Sequence, residues 1–202
     1  MHRKLVCLVL LALFGTTGAL AQNPPPQPRP PANQPAPAPA QPAPAAPSPR
    51  SWQTATSKDG GFSVDLPAKA VEKRIDVKDA KGQPITSFLQ EVTLDANQTY
   101  FGTVWTRIPL PADEQATEKK LTSVRDGTRV ALKGTLITTR PIRQGKFLGL
   151  DYVIEAGPKA TRFRYRSFIV GDRLIQLVYS GKTGSENSAE VRKFHDSLKL
   201  QP

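Results

Sequence analysis

The sequence has little of the chemistry that thiols and imidazoles supply: its 202 residues hold one cysteine and two histidines. Cys7 and His2 both sit at the extreme amino terminus. Once that segment is removed, disulfides, thiolate metal sites and cysteine nucleophiles are all excluded. The remaining histidine, His195, lies between Phe194 and Asp196, one position off an apolar stripe, and reads as a surface or boundary residue. Its neighbours Asp196 and Ser197 make no triad with it, because consecutive helical residues point in different directions. Other signatures are missing too. Asp76 and Asp79 lack the dense Asp/Asn/Gly spacing of a calcium loop. Gly60-Gly61 precedes a strand pattern, not a helix, so it is no phosphate cradle. No Gly-x-Ser-x-Gly elbow occurs. No cofactor, metal or catalytic residue is therefore expected, and serine or carboxylate chemistry has no positive support.

No apolar run reaches the roughly twenty residues of a membrane-spanning helix. What the amino terminus does hold is ordered: His2-Arg3-Lys4, then an apolar run from Leu5 to Phe14, then Gly15-Thr16-Thr17-Gly18 and Ala19-Leu20-Ala21. Charge, apolar run and small residues in that order predict a secretory signal peptide over 1–21, cut after Ala21, and a periplasmic or secreted product. An uncleaved anchor is the alternative. Cys7 stands at the start of the apolar run, not its end, which argues against lipidation.

Residues 22–50 are expected to form a disordered Pro/Ala-rich linker. From Pro24 to Pro49 no apolar side chain is large enough to nucleate a core. Proline biases such a chain to semi-rigid polyproline II, on the order of 80 Å at about 3.1 Å per residue. A docking site for a proline-reading domain is the functional alternative to a plain spacer.

Residues 51–202 read as one globular domain, long enough to bury nearly 70% of its unfolded surface, a rough figure for about 150 residues. Lys58-Asp59-Gly60-Gly61 signals a turn, and Phe62-Ser63-Val64-Asp65-Leu66 alternates like a half-buried strand. Strands are expected at 71–77, 88–94 and 100–106. A helix follows Asp113, with Leu121, Val124, Thr128 and Ala131 on one face, Gly127 as a point of weakness and Gly134 as its stop. Further strands are expected at 135–138, 148–156, 163–170 and 174–179, the last two joined by a tight turn at Gly171. A final helix spans 187–200, capped by Ser185 or Ser188, with Val191, Phe194 and Leu198 inward. The class is α+β, a largely antiparallel sheet flanked by two helices.

The GGFSVDLP opening, the central helix, the hairpin ending in Gly171-Asp172-Arg173-Leu174-Ile175-Gln176-Leu177, and the closing Val191-Arg192-Lys193-Phe194-His195-Asp196-Ser197-Leu198 carry a resemblance. The layout resembles small exported bacterial domains of the PsbP-like sandwich type, over nearly all of 51–202. The resemblance implies a mostly non-enzymatic accessory or binding protein. It carries over no active-site residue.

Charge is the most informative polar feature. The chain carries +11, or +9 once residues 1–21, with Arg3, Lys4 and no acid, are set aside. Arg162, Arg164 and Arg166 alternate with Phe163, Tyr165 and Ser167, which on a strand puts three guanidinium groups on one face. Arg140, Arg143 and Lys146 extend the patch if their strands pair. Such a face favours an anionic lipid, a cell-wall polymer or an acidic envelope protein; export argues against nucleic acid. The alternative is a solvated face whose arginines balance Glu91, Asp151 or Glu155 across strands. On the binding reading, replacing Arg162, Arg164 and Arg166 with serine weakens capture of anionic vesicles with little loss of fold. The function expected is an exported non-catalytic binding domain; the alternative is a hydrolase built from dispersed Ser, Asp, Glu and Arg residues.

Overall fold

The computed structural model describes residues 50–78, 83–96 and 98–201. The expected signal peptide, and all of the expected linker except Arg50, lie outside the described residues. The chain runs β1 (Gln53–Ser57), β2 (Phe62–Leu66), β3 (Val71–Lys78), β4 (Pro84–Leu94), β5 (Thr99–Arg107) and α1 (Glu114–Ala131). It continues through β6 (Thr135–Gln144), β7 (Phe147–Ala156), β8 (Thr161–Val170), β9 (Arg173–Gly181), a 3₁₀ turn (Ser185–Asn187), α2 (Ala189–Asp196) and β10 (Lys199–Leu200). Strands β3 to β9 form a seven-stranded sheet in the order β3-β4-β5-β9-β8-β7-β6, while β1, β2 and β10 form a smaller one. Every pairing is antiparallel. The large sheet is thus two meanders, β3-β4-β5 and β6-β7-β8-β9, joined along β5 and β9, with α1 as the connection between them.

Local sequence explains most of these elements. In β2 the alternation buries Phe62, Val64 and Leu66 and leaves Ser63 and Asp65 part exposed. Helix α1 starts where Asp113 accepts a hydrogen bond from the Ala116 N–H at 2.7 Å, with Glu114 in its first turn and Arg129 in its last, both suited to the helix dipole. Gly127 stays inside it without a break. Its end departs from expectation: Lys133, not Gly134, takes the left-handed conformation at φ 51°. Gly134 serves another purpose, since a Cβ there would lie 2.8 Å from the Glu155 carbonyl oxygen. It is a close-approach glycine between helix and β7.

The last helix is shorter than its sequence period. Ser188 caps α2, accepting from Val191 N–H at 3.3 Å, and the helix stops at Asp196. Ser197 Oγ then accepts from the Asp65 N–H at 2.9 Å, and Lys199–Leu200 pairs with Phe62 and Ser63 as β10. Leu198 is buried as expected, but from a segment drawn onto β2. The strands β1 and β10, and the separate small sheet, were not read from sequence.

The large sheet buries both faces. On one, β2 and α2 supply Phe62, Val64, Leu66, Val191 and Phe194 against Phe101, Phe168, Ile175 and Leu177. Phe101 is the hub, with ring centroids 5.1 Å from Tyr179, 5.4 Å from Phe194 and 6.3 Å from Trp52. Each such buried side chain stabilises the fold by roughly 1.5–3 kcal/mol. On the other face α1 sets Leu121 and Val124 against Ile169 and Leu174, and Leu132 meets Tyr152, Ile154, Phe163 and Tyr165. Among the described residues no helix is long and apolar enough to cross a membrane.

Candidate functional site

Alternation along β8 does place Arg162, Arg164 and Arg166 on one face, with Phe163 and Tyr165 turned to α1. That face is not open. The 3₁₀ turn and α2 lie over it, and the three arginine side chains are only 15, 9 and 15% exposed. Each guanidinium is engaged. Arg164 donates from Nε to Asp151 Oδ1 at 3.1 Å and from Nη2 to Asp151 Oδ2 at 2.9 Å. Its Nη1 donates to the Glu186 carbonyl at 3.0 Å and to Asn187 Oδ1 at 3.2 Å. Arg166 donates from Nη1 to the His195 carbonyl and to Asp196 Oδ1, both at 2.9 Å. Arg162 pairs with Glu155 at 3.0 Å and approaches Glu186 at 4.0 Å. The row ties the sheet to the 3₁₀ turn and α2. The expectation that all three tolerate serine is therefore corrected: removing them strands buried acids and carbonyls.

Asp151 is the centre of this network. Arg164, Arg166 and Arg140 all reach its carboxylate, which is 4% exposed. Burial pushes its pKa up, but the hydrogen bonds and charge of Arg164, with help from Arg140 and Arg166, hold it below the ordinary value. Glu155 joins the balance as the sequence allowed. Glu91 does not; it is buried on the opposite face and pairs with Lys73.

His195 is a second correction. It is 1% exposed, because the flank of α2 that carries it faces this network and not solvent. Burial, and then the charges of Arg166 and Arg164, push its pKa down to about 3, so the ring is neutral. A lone histidine beside an apolar stripe gave no sign of this. The signal available was that a short helix can cover charged strands only by turning one flank toward them.

Arg140, Arg143 and Lys146 do not continue the row, because β7 lies between β6 and β8. They stand at the sheet's rim. Arg140 is 64% exposed and reaches Asp151 at 3.1 Å. Arg143, 53% exposed, pairs with Glu114 at the start of α1 on the other face. Lys146 is exposed at the β6–β7 tip, 5.6 Å from the Phe147 ring centroid. Three of the six cations are internal ties and three are open.

At the opposite edge, the turn after β1 overhangs β3, β4 and β5 and leaves a cleft of about 390 Å³. Phe88 and Trp105 line it, stacked at 4.5 Å, beside Lys58, Asp59, Glu72 and Arg74. Gln90 Nε2 donates to Glu72 Oε1 at 3.0 Å and to the Thr56 carbonyl at 3.4 Å, tying the small sheet to β3. Sequence reasoning missed this cleft. Pairing β4 and β5 in antiparallel register sets Phe88 opposite Trp105, which was the available signal. Among the described residues, no three of His, Cys, Asp and Glu gather to hold a metal.

A central antiparallel sheet, one long helix on one face, and a short helix with a small sheet on the other make the domain an α+β sandwich of PsbP-like fold. The solution structure of cyanobacterial PsbP (CyanoP) from Synechocystis sp. PCC 6803 matches 81% of this chain and 99% of its own, with TM-score 0.52 and 11% identity. A crystal structure from Bacteroides thetaiotaomicron aligns with 74% of this chain and 48% of its own, at TM-score 0.40 and 15% identity. No protein-family model and no curated protein matches the sequence.

Proposed function

We propose that this chain is an exported, non-catalytic domain that binds an anionic envelope component through the β6–β7 rim. The export reading rests on the ordered leader 1–21, cleaved near Ala21 to release a periplasmic or secreted product. The Pro/Ala-rich segment 22–50 then acts as its tether.

One observation carries the binding reading. Asp151 is a single carboxylate shared by three guanidinium groups, and Arg164 takes it bidentately. Arg166 has a further acid in Asp196, whereas the acid that Arg140 reaches is the shared Asp151. Arg140 is thus an under-compensated, largely exposed cation, with Arg143 and Lys146 nearby along the same hairpin. A planar guanidinium in that state favours phosphate or carboxylate groups, on lipid headgroups, cell-wall polymers or an acidic envelope protein.

The test is capture of the mature protein, residues 22–202, by phosphatidylglycerol-containing vesicles. Wild type is captured in a salt-sensitive way, and Arg140→Ser/Arg143→Ser/Lys146→Ser loses most of that capture while keeping its fold. Equal capture by the two proteins would reduce the rim to ordinary surface.

A further inference from the structure

The large sheet has two outer strands, β3 and β6, and they are built differently. Strand β6 carries Pro141 and an irregular register between Leu136 and Thr138, both of which keep an edge from pairing with another chain. Strand β3 has neither. Its residues Val71–Lys78 pair with β4 in unbroken register, and among the described residues no strand pairs with its other side. Val71, Glu72, Lys73, Arg74 and Asp76 are exposed.

We propose that β3 is a dimer edge that pairs with β3 of a second copy of this chain, antiparallel, with Ile75 opposite Ile75. The argument is one of charge and symmetry. Glu72, Arg74 and Asp76 occupy alternate positions and alternate in sign. Read backwards about Ile75, the Arg74 and Asp76 pair is its own complement. A two-fold pairing must set residues of the same sheet face opposite each other, so the allowed registers differ in steps of two residues.

In the register centred on Ile75, Arg74 meets Asp76, a pair that occurs twice by symmetry. One step to either side destroys this. Centred on Arg74, the strand sets Arg74 against Arg74 and Glu72 against Asp76. Centred on Asp76, it sets Asp76 against Asp76. Like charges directly opposite are destabilising, so a single long register survives.

The same register brings together two apolar patches on the other face, where Ile75 packs against Leu89 and Val104. Arg74 already contacts Asp76 of its own strand at 3.2 Å, but both are over 60% exposed, at 64 and 61%. An exposed pair of that kind exchanges partners with little loss. The dimer leaves the β6 rims at its two far ends, so this pairing stands independently of the proposed anion binding.

Sedimentation velocity of the mature protein, from low to high micromolar, tests the proposal. Wild type doubles in mass as concentration rises. Arg74→Asp and Asp76→Arg each stay monomeric, because each sets like charges opposite, and the double variant Arg74→Asp/Asp76→Arg dimerises again. Circular dichroism confirms that each variant is folded, as substitutions at exposed positions should be. A wild type that stays monomeric overturns the proposal. So does a dimer indifferent to both single reversals, or a double variant that fails to recover.

Discussion

Arg164 grips Asp151 with two hydrogen bonds, at 3.1 and 2.9 Å, although the strand register sets Arg166 opposite that acid and Val153 opposite Arg164. The diagonal reach frees Arg166 to bind the end of α2. It explains why three like-charged side chains sit together under a helix without forcing the layers apart. Four acids, Asp151, Glu155, Glu186 and Asp196, are distributed among them.

Breaking that grip should be severe. Arg164→Met leaves Asp151 buried without its main partner, and such a break typically costs about 3–5 kcal/mol. The double variant Arg164→Met/Asp151→Leu removes both charges and should recover much of the loss. Urea unfolding at neutral pH measures both; a single-variant loss near zero would show that the pair ties nothing together.

Acid lability should trace to His195. In the unfolded chain a histidine takes up a proton near its ordinary value of 6.5, whereas the folded ring resists until about 3. Between those values the unfolded state binds more protons, so stability falls as pH falls, by up to about 1.4 kcal/mol per pH unit. Asp151 acts lower down. Its folded pKa is depressed, so its stabilisation is present above the unfolded value of 3.8 and is lost as pH drops through the folded one. Unfolding free energies at pH 7 and 4.5 should therefore differ less in His195→Gln than in wild type. An identical pH slope in the two proteins would contradict this.

The stacked tyrosines under α1 should respond in opposite ways. Tyr152 and Tyr165 lie 4.9 Å apart and both are fully buried. The Tyr152 hydroxyl accepts from Gln176 Nε2 at 3.4 Å, while the Tyr165 hydroxyl is buried with no hydrogen-bond partner among the described residues. Tyr152→Phe should cost about 1 kcal/mol, and Tyr165→Phe should be neutral or stabilising, because it deletes an unsatisfied polar atom. Thermal melts of the two variants read the difference, and equal losses would refute it.

Gly61 is the turn position that should tolerate alanine least. Its φ is +67°, and a Cβ there would run into the Arg173 guanidinium. Its carbonyl also accepts from the Gln201 N–H at 2.8 Å, which ties the chain's end to the turn. Gly61→Ala should lose at least 1 kcal/mol, about the cost of left-handed backbone alone. Gly145→Ala, also at positive φ but with open space around it, should lose less.

What was legible in the sequence was whatever one segment decides alone. The alternation of Phe62, Val64 and Leu66, the inward stripe of Leu121, Val124 and Thr128, and the Gly171 turn all needed no partner to be read. The alternation of Arg162, Arg164 and Arg166 was legible too, but its meaning was not. A strand pattern says which side chains share a face; it does not say what lies over that face. Here the cover is α2 and the 3₁₀ turn, which follow β8 by one further strand and become its lid only through tertiary packing. The aromatic cleft was hidden for the same reason, since Phe88 and Trp105 meet only across the β4–β5 pairing.

The five arginines of β6 and β8 divide into three inside and two in the open, with Lys146 on the open side. Arginine-selective dicarbonyl labelling of the folded mature protein, read by peptide mass spectrometry, tests it most directly. Arg140 and Arg143 should label rapidly, while Arg162, Arg164 and Arg166 stay protected until the domain unfolds. Labelling of all five at one common rate would mean that the β8 face is open after all.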